Sequence, residues 1–476
     1  MDSRGDVVVI GGGFAGLSAA VALAGNGFRV TVCEAKPALG GRAYSFADVQ
    51  SGDFVDNGQH VLMGCYLQTL AFLREIGSYG QLVFRDNLAI DMIDRSGARA
   101  SLRTANLPGP FHMTGAVLGY RHLSLIDRVG LLIGGARLLA MRRFARAELE
   151  RTTVSALMDL LGQSQRAREF FWYPVAVATL NDEPSVSSSA LLAEVLKRAF
   201  FSRRSDSAFV YSRVGLSDLY CAAAKSYIER RGGSVSLGAA VDRLEIDSSG
   251  RVLCAMLRDG RTIAGGAFVC ATPPNRLLRI LPDAITAETN FARLRRLDSS
   301  PIVCVHLWLD REVIDSAFAG FIGTVTQWLF NKRRIFSVRG ESHPGYLSFV
   351  ISGARSLVDR SNDDLLAQVL ADLRQVIPAA REAKVVKALV LKEKQATMAP
   401  SLDAHRLRPG VTTSVSNLLL AGDWLQTGLP ATIESAVVSG RMAADEVIAH
   451  AQHFAAINGT PPKVRAARDA LNSTHG

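Results

Sequence analysis

Four residues near the beginning of the chain have the types and the spacing to bind a dinucleotide. Gly11, Gly13 and Gly16 form a G-x-G-x-x-G pattern, and Glu34 ends the next apolar segment. In such a pattern the first glycine makes a tight turn, the second lets the backbone approach a pyrophosphate, and the third lets a helix pack closely on a strand. A carboxylate in the position of Glu34 binds ribose hydroxyls. The pattern predicts an adenine dinucleotide with its pyrophosphate at a helix N-terminus.

The elements that must position these residues are indicated by the apolar side chains. Residues 7–10 are a short apolar run, typical of a strand that is buried on both faces. Residues 17–24 repeat apolar side chains at helical spacing, and residues 28–32 alternate toward Glu34. A glycine-rich turn without a ligand is the alternative interpretation, but it leaves Glu34 unexplained.

Further segments favour a flavin over a nicotinamide as the redox part of the dinucleotide. Residues 40–42, Gly-Gly-Arg, would lay backbone and a fixed positive charge along a diphosphate. Residues 56–60 follow a predicted strand, and the strands around Val241 would present backbone groups to adenine. The apolar strand at residues 418–423 would deliver Asp423 to a ribose or ribityl hydroxyl.

Residues 430–433 are predicted to open a helix, with Pro430 in its first turn. The positive end of that helix would stabilise a reduced, anionic flavin by about 0.3–2 kcal/mol. The predicted cofactor-binding residues are Gly11, Gly13, Phe14, Ala15, Gly16, Glu34, Ala35, Lys36, Gly41, Arg42, Gly58, Gln59, His60, Val241, Gly422, Asp423, Pro430, Ala431, Thr432 and Ile433.

Composition describes a folded, globular chain of 476 residues with 48% hydrophobic and 21% charged residues. Its six cysteines show no C-x-x-C pair and no metal-ligand spacing, which favours reduced core thiols, no metal site and a cytoplasmic location. We expect the apolar start not to be a signal peptide, because its glycine pattern is accounted for and acidic residues precede it. No apolar stretch is long enough to span a membrane.

The net charge of +10 leaves two interpretations open. The basic residues form no tract with interleaved aromatics, so nucleic-acid binding is not expected. A mildly basic, solvated surface is one interpretation, and peripheral contact with an anionic surface on the inner face of the cytoplasmic membrane is the other. Residues 121–151 carry seven arginines around the run GLLIGGARLLAM. This pattern resembles an amphipathic segment that lies in a membrane interface, but an ordinary helix of a substrate domain would explain it equally well.

The order of the segments predicts a mixed α/β (α+β) fold with a Rossmann-like FAD-binding domain assembled from separated parts. A substrate domain of sheet plus helices is inserted between them. The FAD-binding parts are residues 1–70, 206–285 and 401–450, the substrate domain is 71–205 and 286–400, and 451–476 is a tail. Residues 67–200 have a mostly helical pattern, as do 213–231, 363–377 and 430–449, whereas strands are predicted at 235–269, 301–350 and 418–424.

The opening fingerprint, GGR at 40–42 and the segment from AGDW to residue 440 resemble the FAD-dependent amine oxidase and carotenoid desaturase superfamily. The resemblance runs from residue 6 to about 448. Residues 55–66, 170–184 and 421–436 look closest to the squalene-associated branch, the hydroxysqualene dehydroxylases of bacterial hopanoid synthesis. This resemblance implies non-covalent FAD, a long apolar isoprenoid substrate and an electron donor that the sequence does not identify.

The same resemblance implies reductive removal of the allylic hydroxyl of hydroxysqualene, giving squalene and water. Hydroxide leaves poorly, so an acid must protonate it, and the pocket must be dry because water would recapture the cation. His60 is the first choice for the acid, although it could equally only bind the flavin or the backbone. Further choices for the acid are Tyr173, Asp182 and His306, the last of which would face the pocket or solvent.

The apolar stretches 129–141 and 170–180 are candidate walls of the substrate pocket, or else ordinary core. Asp56, which lies close to His60 in sequence, is expected to fix a turn.

Three other functions remain open. A carotenoid or phytoene-type desaturase would transfer hydride in the opposite direction, from substrate to flavin. An amine oxidase typically has an aromatic side chain shortly before the last cofactor strand, but there is no Phe, Tyr or Trp between Phe349 and Trp424. A non-catalytic flavin-binding partner of other terpene enzymes is the third alternative.

Overall fold

The computed structural model describes residues 5–85, 88–336 and 343–457. The strands are β1 (Asp6–Ile10), β2 (Arg29–Cys33), β3 (Ser45–Ala47), β4 (Phe54–Asp56), β5 (Leu62–Met63), β6 (Leu82–Arg85), β7 (Ala89–Asp94), β8 (Arg99–Arg103), β9 (Phe209–Ser212), β10 (Ser234–Ser236), β11 (Val241–Ile246), β12 (Val252–Leu257), β13 (Thr262–Ala264), β14 (Ala267–Cys270), β15 (Ser299–Leu309), β16 (Phe318–Ile322), β17 (Trp328–Asn331), β18 (Gly345–Ser352), β19 (Val385–Met398) and β20 (Leu418–Leu420). The helices are α1 (Phe14–Gly25), α2 (Leu67–Glu75), α3 (His112–Leu118), α4 (Leu125–Phe144), α5 (Arg146–Leu149), α6 (Val154–Leu160), α7 (Gln165–Ala167), α8 (Tyr173–Leu180), α9 (Ser189–Phe200), α10 (Ala222–Glu229), α11 (Pro274–Ile280), α12 (Asp283–Thr286), α13 (Thr289–Ala292), α14 (Lys332–Ile335), α15 (Asn362–Val376), α16 (Leu402–Leu407) and α17 (Ile433–Ile457).

A parallel sheet of five strands carries the predicted dinucleotide fold. Its order is β10-β2-β1-β14-β20, so strands from the beginning, middle and end of the chain lie side by side. Val7 and Val9 of β1 pack in the core beneath α1, whereas Val8 and Ile10 pack in the core on the opposite face. Burial on both faces explains the continuous apolar runs. The predicted mixed α/β fold class, with a dinucleotide fold built from separated segments, is confirmed; the domain boundaries stay predictions.

A second sheet of seven strands belongs to the inserted part of the chain. Its order is β19-β15-β18-β17-β16-β7-β8. β7 and β16 pair in parallel, and the other neighbours in this sheet pair antiparallel. The helices α3–α9 form a separate apolar cluster that includes Tyr120, Leu138 and Trp172.

The prediction that residues 67–200 are mostly helical is wrong for residues 82–85 and 89–103. The strands β6, β7 and β8 lie there, and β7 and β8 form one edge of the seven-stranded sheet. Buried and more exposed residues largely alternate along β7, and Gly97 takes a positive φ of 82° in the turn before β8. This period of two and the turn residue were the available signals.

Three other predicted boundaries differ from the structure. The helix predicted at 430–449 is α17, which begins at Ile433 and continues into the predicted tail, whose residues 458–476 lie outside the described ones. The helix predicted at 213–231 is a π segment, Ser217–Cys221, followed by α10. The strand predicted at 418–424 ends at Leu420.

Within the described ranges, no helix is both long and apolar enough to cross a bilayer.

Candidate active site

A cavity of about 800 Å³ lies where the loops after β1, β2, β14 and β20 meet the seven-stranded sheet. This is the carboxyl edge of a parallel sheet, where open α/β folds bind their ligands. The volume is within the ~300–1,000 Å³ that small-molecule sites span. Of the predicted cofactor-binding residues, these line it: Gly11, Gly13, Phe14, Ala15, Glu34, Ala35, Lys36, Gly41, Arg42, Gly58, Gln59, His60, Val241, Gly422, Asp423, Ala431, Thr432 and Ile433.

The two predicted residues that do not line the cavity are Gly16 and Pro430. Gly16 lies behind the turn, where a Cβ would overlap the carbonyl oxygen of Gly11. It therefore serves the packing of α1 on the turn, as predicted for the third glycine. Pro430 precedes α17 instead of standing in its first turn, which corrects the prediction. Thr432 takes the cap position, because its Oγ1 accepts a hydrogen bond from Ser435 N at 3.2 Å.

The turn after β1 and the carboxylate of Glu34 form one end of the cavity. Gly11 has a φ of 110°, and a Cβ there would lie 2.8 Å from Ala271 O. Glu34 is 6% exposed and accepts hydrogen bonds from Gly12 N at 2.7 Å and Lys36 N at 2.8 Å, one on each oxygen. Each oxygen keeps acceptor capacity for a ribose hydroxyl. Glu34 therefore both organises the loop and faces the predicted adenosine.

Arg42 and Asp423 meet at the middle of the cavity. Arg42 donates to Asp423 Oδ1 at 2.5 Å and to Ala396 O at 2.8 Å. Burial opposes the charge of Arg42, but Asp423 holds its pKa above the usual value. The sequence predicted these two residues separately, as ligands of a diphosphate and of a hydroxyl. Their ion pair joins the first and last cofactor segments.

Gly58, Gln59 and His60 form the other end of the cavity together with apolar side chains of the seven-stranded sheet. Those side chains include Ile302 and Leu391. His60 Nδ1 lies 2.9 Å from Gly58 O. Burial lowers the pKa of His60, and the nearby Asp56 carboxylate opposes that shift. The imidazole is thus predominantly neutral near pH 7, which makes the proton-donating form scarce there.

Lys332 supports this end of the cavity and was not singled out from the sequence. Its side chain is fully buried, and Nζ donates to Asp56 Oδ2 at 2.7 Å and to Gln59 Oε1 at 2.5 Å. Asp56 Oδ1 also accepts from Leu216 N at 3.2 Å. Asp56 therefore does more than fix a turn. The run Lys332-Arg333-Arg334 is typical of a solvated surface, so no local pattern indicated this buried pair.

Two further residues hold the cavity wall: Asn57 belongs to the segment 56–60 that the sequence singled out, whereas Arg408 was not predicted. Arg408 donates to the carbonyl oxygens of Leu429 at 2.5 Å and Asp423 at 2.6 Å, which ties down the loop before α17. Asn57 lines the cavity and donates to Arg42 O at 3.1 Å. Each bond fixes backbone that faces the cavity.

The remaining candidate acids do not line the described cavity. His306 is buried against Tyr346, its pKa is lowered to about 3 by burial, and it faces neither the cavity nor solvent. Asp182 pairs with Arg355. Tyr173 belongs to the helical cluster. The stretches 129–141 and 170–180, expected as walls or core, contribute buried residues to that cluster, and none of their residues lines this cavity.

Comparison with known proteins decides the family. A profile of flavin-containing amine oxidoreductases matches residues 14–448. The chain belongs to the flavin-containing amine oxidoreductase family. Hydroxysqualene dehydroxylase of Rhodopseudomonas palustris is 30% identical over 93% of this chain and 98% of that protein. The 15-cis-phytoene desaturase of Glycine max is 25% identical over 93% of this chain and 79% of that protein.

A solved structure gives the same fold. An oxidoreductase from Methanosarcina mazei has a TM-score of 0.71 at 15% identity, covering 92% of this chain and 100% of the other. FAD is the cofactor of this flavin-containing amine oxidoreductase, as predicted. One end of the cavity fits the adenosine diphosphate part of FAD. Side chains would block the turn at Gly11, and Glu34 has acceptor capacity for the ribose hydroxyls.

Replacing Glu34 with alanine is expected to weaken FAD binding to this amine oxidoreductase. The variant loses charged hydrogen bonds worth ~1.5–3 kcal/mol, which raises Kd about tenfold to a hundredfold. Titration of the flavin-free protein with FAD, followed by quenching of flavin fluorescence, measures the change. Asp259→Ala, in the exposed turn before β13, is the matched control and should bind FAD normally. Unchanged affinity in Glu34→Ala would contradict the placement of the adenosine.

Proposed function

We propose that this flavin-containing amine oxidoreductase removes the allylic hydroxyl of hydroxysqualene reductively, giving squalene and water. The observation that carries the proposal is the 30% identity with hydroxysqualene dehydroxylase of Rhodopseudomonas palustris over nearly the full length of both chains. The reaction adds one proton and one hydride to the substrate: the carbon–oxygen bond breaks, the proton leaves with the hydroxyl as water, and the hydride forms the new carbon–hydrogen bond.

Reduced FAD, held without a covalent bond, supplies the hydride when it is bound. The protein must position the substrate, keep water away and deliver the proton. Ile302, Val350 and Leu391 give the end of the cavity near His60 an apolar wall, which suits an isoprenoid chain and disfavours water. Each turnover consumes two electrons, so a separate electron donor has to reduce the flavin again.

His60 is the proposed proton donor, since it is the imidazole at this end of the cavity. Cys304 lies on the same wall, but burial raises the pKa of its thiol to about 12. A thiol with that pKa gives up its proton much less readily than an imidazolium does. Lys332 is a positioning residue, because it holds Gln59 and Asp56 behind the loop that carries His60.

Phytoene-type desaturation is the second candidate, favoured by the 25% identity with the Glycine max enzyme. It would use the same apolar wall but oxidise its substrate. Amine oxidation is disfavoured by the lining of the described cavity, whose Phe, Tyr and Trp residues are Phe14 and Trp424. Phe14 stacks on Tyr220 with ring centroids 3.7 Å apart, and Trp424 Nε1 donates to Thr272 O. Neither arrangement leaves a free aromatic pair to flank an amine.

The test uses the purified FAD-loaded protein without oxygen. After reduction of the flavin, hydroxysqualene is added, and flavin absorbance and squalene are followed together. We expect the flavin to be oxidised in step with an equal amount of squalene. Absence of squalene contradicts the proposal, and bleaching of the oxidised flavin by phytoene would favour the desaturase. A protein that keeps FAD but responds to neither substrate would favour a binding role.

His60→Asn is expected to keep FAD but to slow turnover, because general acids contribute about 10²–10⁴ in rate. The acid acts in its protonated form, and burial lowers the pKa of His60 below 6.5. Wild-type kcat should therefore be highest in acid and fall as the pH rises through that lowered pKa, and the variant should lack this step. His450→Asn, on the exposed face of α17, is the control. Full activity in His60→Asn would exclude this residue as the acid.

A further inference from the structure

The helix pair α3–α4 carries an unusual share of the exposed apolar side chains. Of the fourteen large apolar residues that are exposed in the described part of the chain, seven lie in residues 107–133. Ile126 is 84% exposed, Leu125 is 68% exposed and Phe111 is 60% exposed. Such a concentration, unlike scattered single residues, marks an interaction site. We call these seven residues the α3–α4 face: Leu107, Phe111, Leu118, Leu125, Ile126, Val129 and Ile133.

Helix α4 is apolar on two opposite sides. Its inner side packs into the helical cluster through Leu131 and Leu138. Its outer side presents Ile126, Val129 and Ile133, which follow at spacings of three and four residues and so share one stripe. An ordinary surface helix has polar residues in that stripe. Burial against the described residues of this chain therefore does not account for the outer stripe.

Positive charge surrounds this apolar stripe. Residues 104–147 contain six arginines and no lysine, and Asp127 is their one acidic residue. Asp127 is occupied locally, since it accepts hydrogen bonds from Ser124 Oγ at 2.7 Å and Ser164 Oγ at 2.5 Å. Arg121 and Arg137 are exposed and form no ion pair with any described residue. Their charge is available to an external anionic partner.

We propose that the α3–α4 face binds the surface of an anionic phospholipid bilayer. The outer stripe of α4 enters the boundary between headgroups and acyl chains, and Arg121 and Arg137 contact the phosphates. The helix lies in the interface and does not cross the bilayer. Exposure and charge are the same whichever substrate the enzyme acts on, so this contact with lipid is independent of the proposed function.

The positive charge of the α3–α4 face favours a membrane over a second copy of the chain as its binding partner. A two-fold dimer through this face would bring Arg121 and Arg137 against the same positive face of the second copy, and Asp127, the acidic residue within 104–147, is already hydrogen-bonded in its own chain. Anionic headgroups balance the same charges. Dimerisation through the face is therefore the competing outcome of the test.

The test is sedimentation of the FAD-loaded protein with vesicles of phosphatidylcholine alone or mixed with phosphatidylglycerol. We expect the wild type to bind the mixed vesicles much more strongly, and added salt to weaken that binding. The variant Ile126→Gln/Val129→Gln should bind at least about tenfold more weakly, because two apolar side chains no longer enter the lipid. Leu253→Gln, at an apolar site on β12 whose exposure of 55% lies between those of Ile126 and Val129, is the matched control and should bind like the wild type.

Flavin absorbance verifies that each variant is folded. If the variant Ile126→Gln/Val129→Gln does not fold, the variant Arg121→Gln/Arg137→Gln is tested in its place. We expect it to lose the preference for vesicles that contain phosphatidylglycerol. The proposal is overturned if the wild type binds neither vesicle, or if the variants bind as the wild type does. It is equally overturned if the wild type is a dimer that the apolar variants dissociate without any change in vesicle binding.

Discussion

Lys332→Met is expected to lower the free energy of unfolding by about 3–5 kcal/mol, because it leaves the carboxylate of Asp56 buried without its counter-charge. Lys332 is 0% exposed and Asp56 is 2% exposed, so water cannot replace the missing cation. Gln59 also loses its partner at the wall of the cavity. Denaturant titration of the FAD-loaded protein, followed by circular dichroism, measures the change.

A double variant separates the buried charge from the loss of packing. Asp56→Asn/Lys332→Met removes both charges and should be less destabilised than the sum of its two single variants. Lys394→Met breaks the exposed pair with Asp359 and is the matched control, with an expected change within about 1 kcal/mol. If Lys332→Met and Lys394→Met lower the free energy of unfolding equally, burial of the Lys332–Asp56 pair does not increase its contribution to stability.

Gly16→Ala is expected to yield protein without bound flavin. A Cβ at this position would overlap Gly11 O and come within 3.1 Å of Ala271 Cβ, and the first of these is backbone that cannot rotate away. The N-terminus of α1 must then move from the turn. Overpacking of this kind costs about 1–3 kcal/mol, and misalignment of the amides that face the pyrophosphate adds to it. The flavin-to-protein absorbance ratio after purification reports the loss.

Gly130→Ala is the matched glycine control. It lies within α4 and a Cβ there would meet nothing within 4 Å, so the substitution should leave flavin content unchanged and stabilise the helix by up to about 1 kcal/mol. Retention of normal FAD affinity by Gly16→Ala would mean that α1 tolerates displacement from the turn. The assignment of the third glycine to close packing would then be wrong.

The cofactor half of the molecule could be predicted because its constraints are local. The turn at Gly11, the helix that follows and the acid at Glu34 are neighbours in sequence, and each residue type has one physical reason to stand there. The assembly of the five-stranded sheet could be predicted because apolar strands recur along the chain, and each of them needs neighbouring strands in order to be buried. Pro430 was misplaced because proline and threonine both favour the beginning of a helix, and Thr432 took the cap.

The catalytic end could not be predicted to the same degree, because contacts distant in sequence decide it. Lys332 meets Asp56 across the boundary between the inserted sheet and the first cofactor segment, and no local pattern marks either residue as buried. His306 alternates with apolar neighbours on β15, which left its direction open; the fold packs it against Tyr346. The strands β7 and β8 are short, and β16, the strand that pairs with β7 and joins both to the sheet, lies far along the chain.

The packing of α17 on α1 has a consequence for biosynthesis. A Cβ at Gly440 would overlap Ala15 O, so the last helix lies directly on the backbone of the first. During translation the ribosome releases β1 and α1 long before β14, β20 and α17 emerge. The nascent chain must therefore keep its first strand and helix from aggregating until hundreds of later residues have been made, which is the situation in which slow folding and chaperone dependence arise.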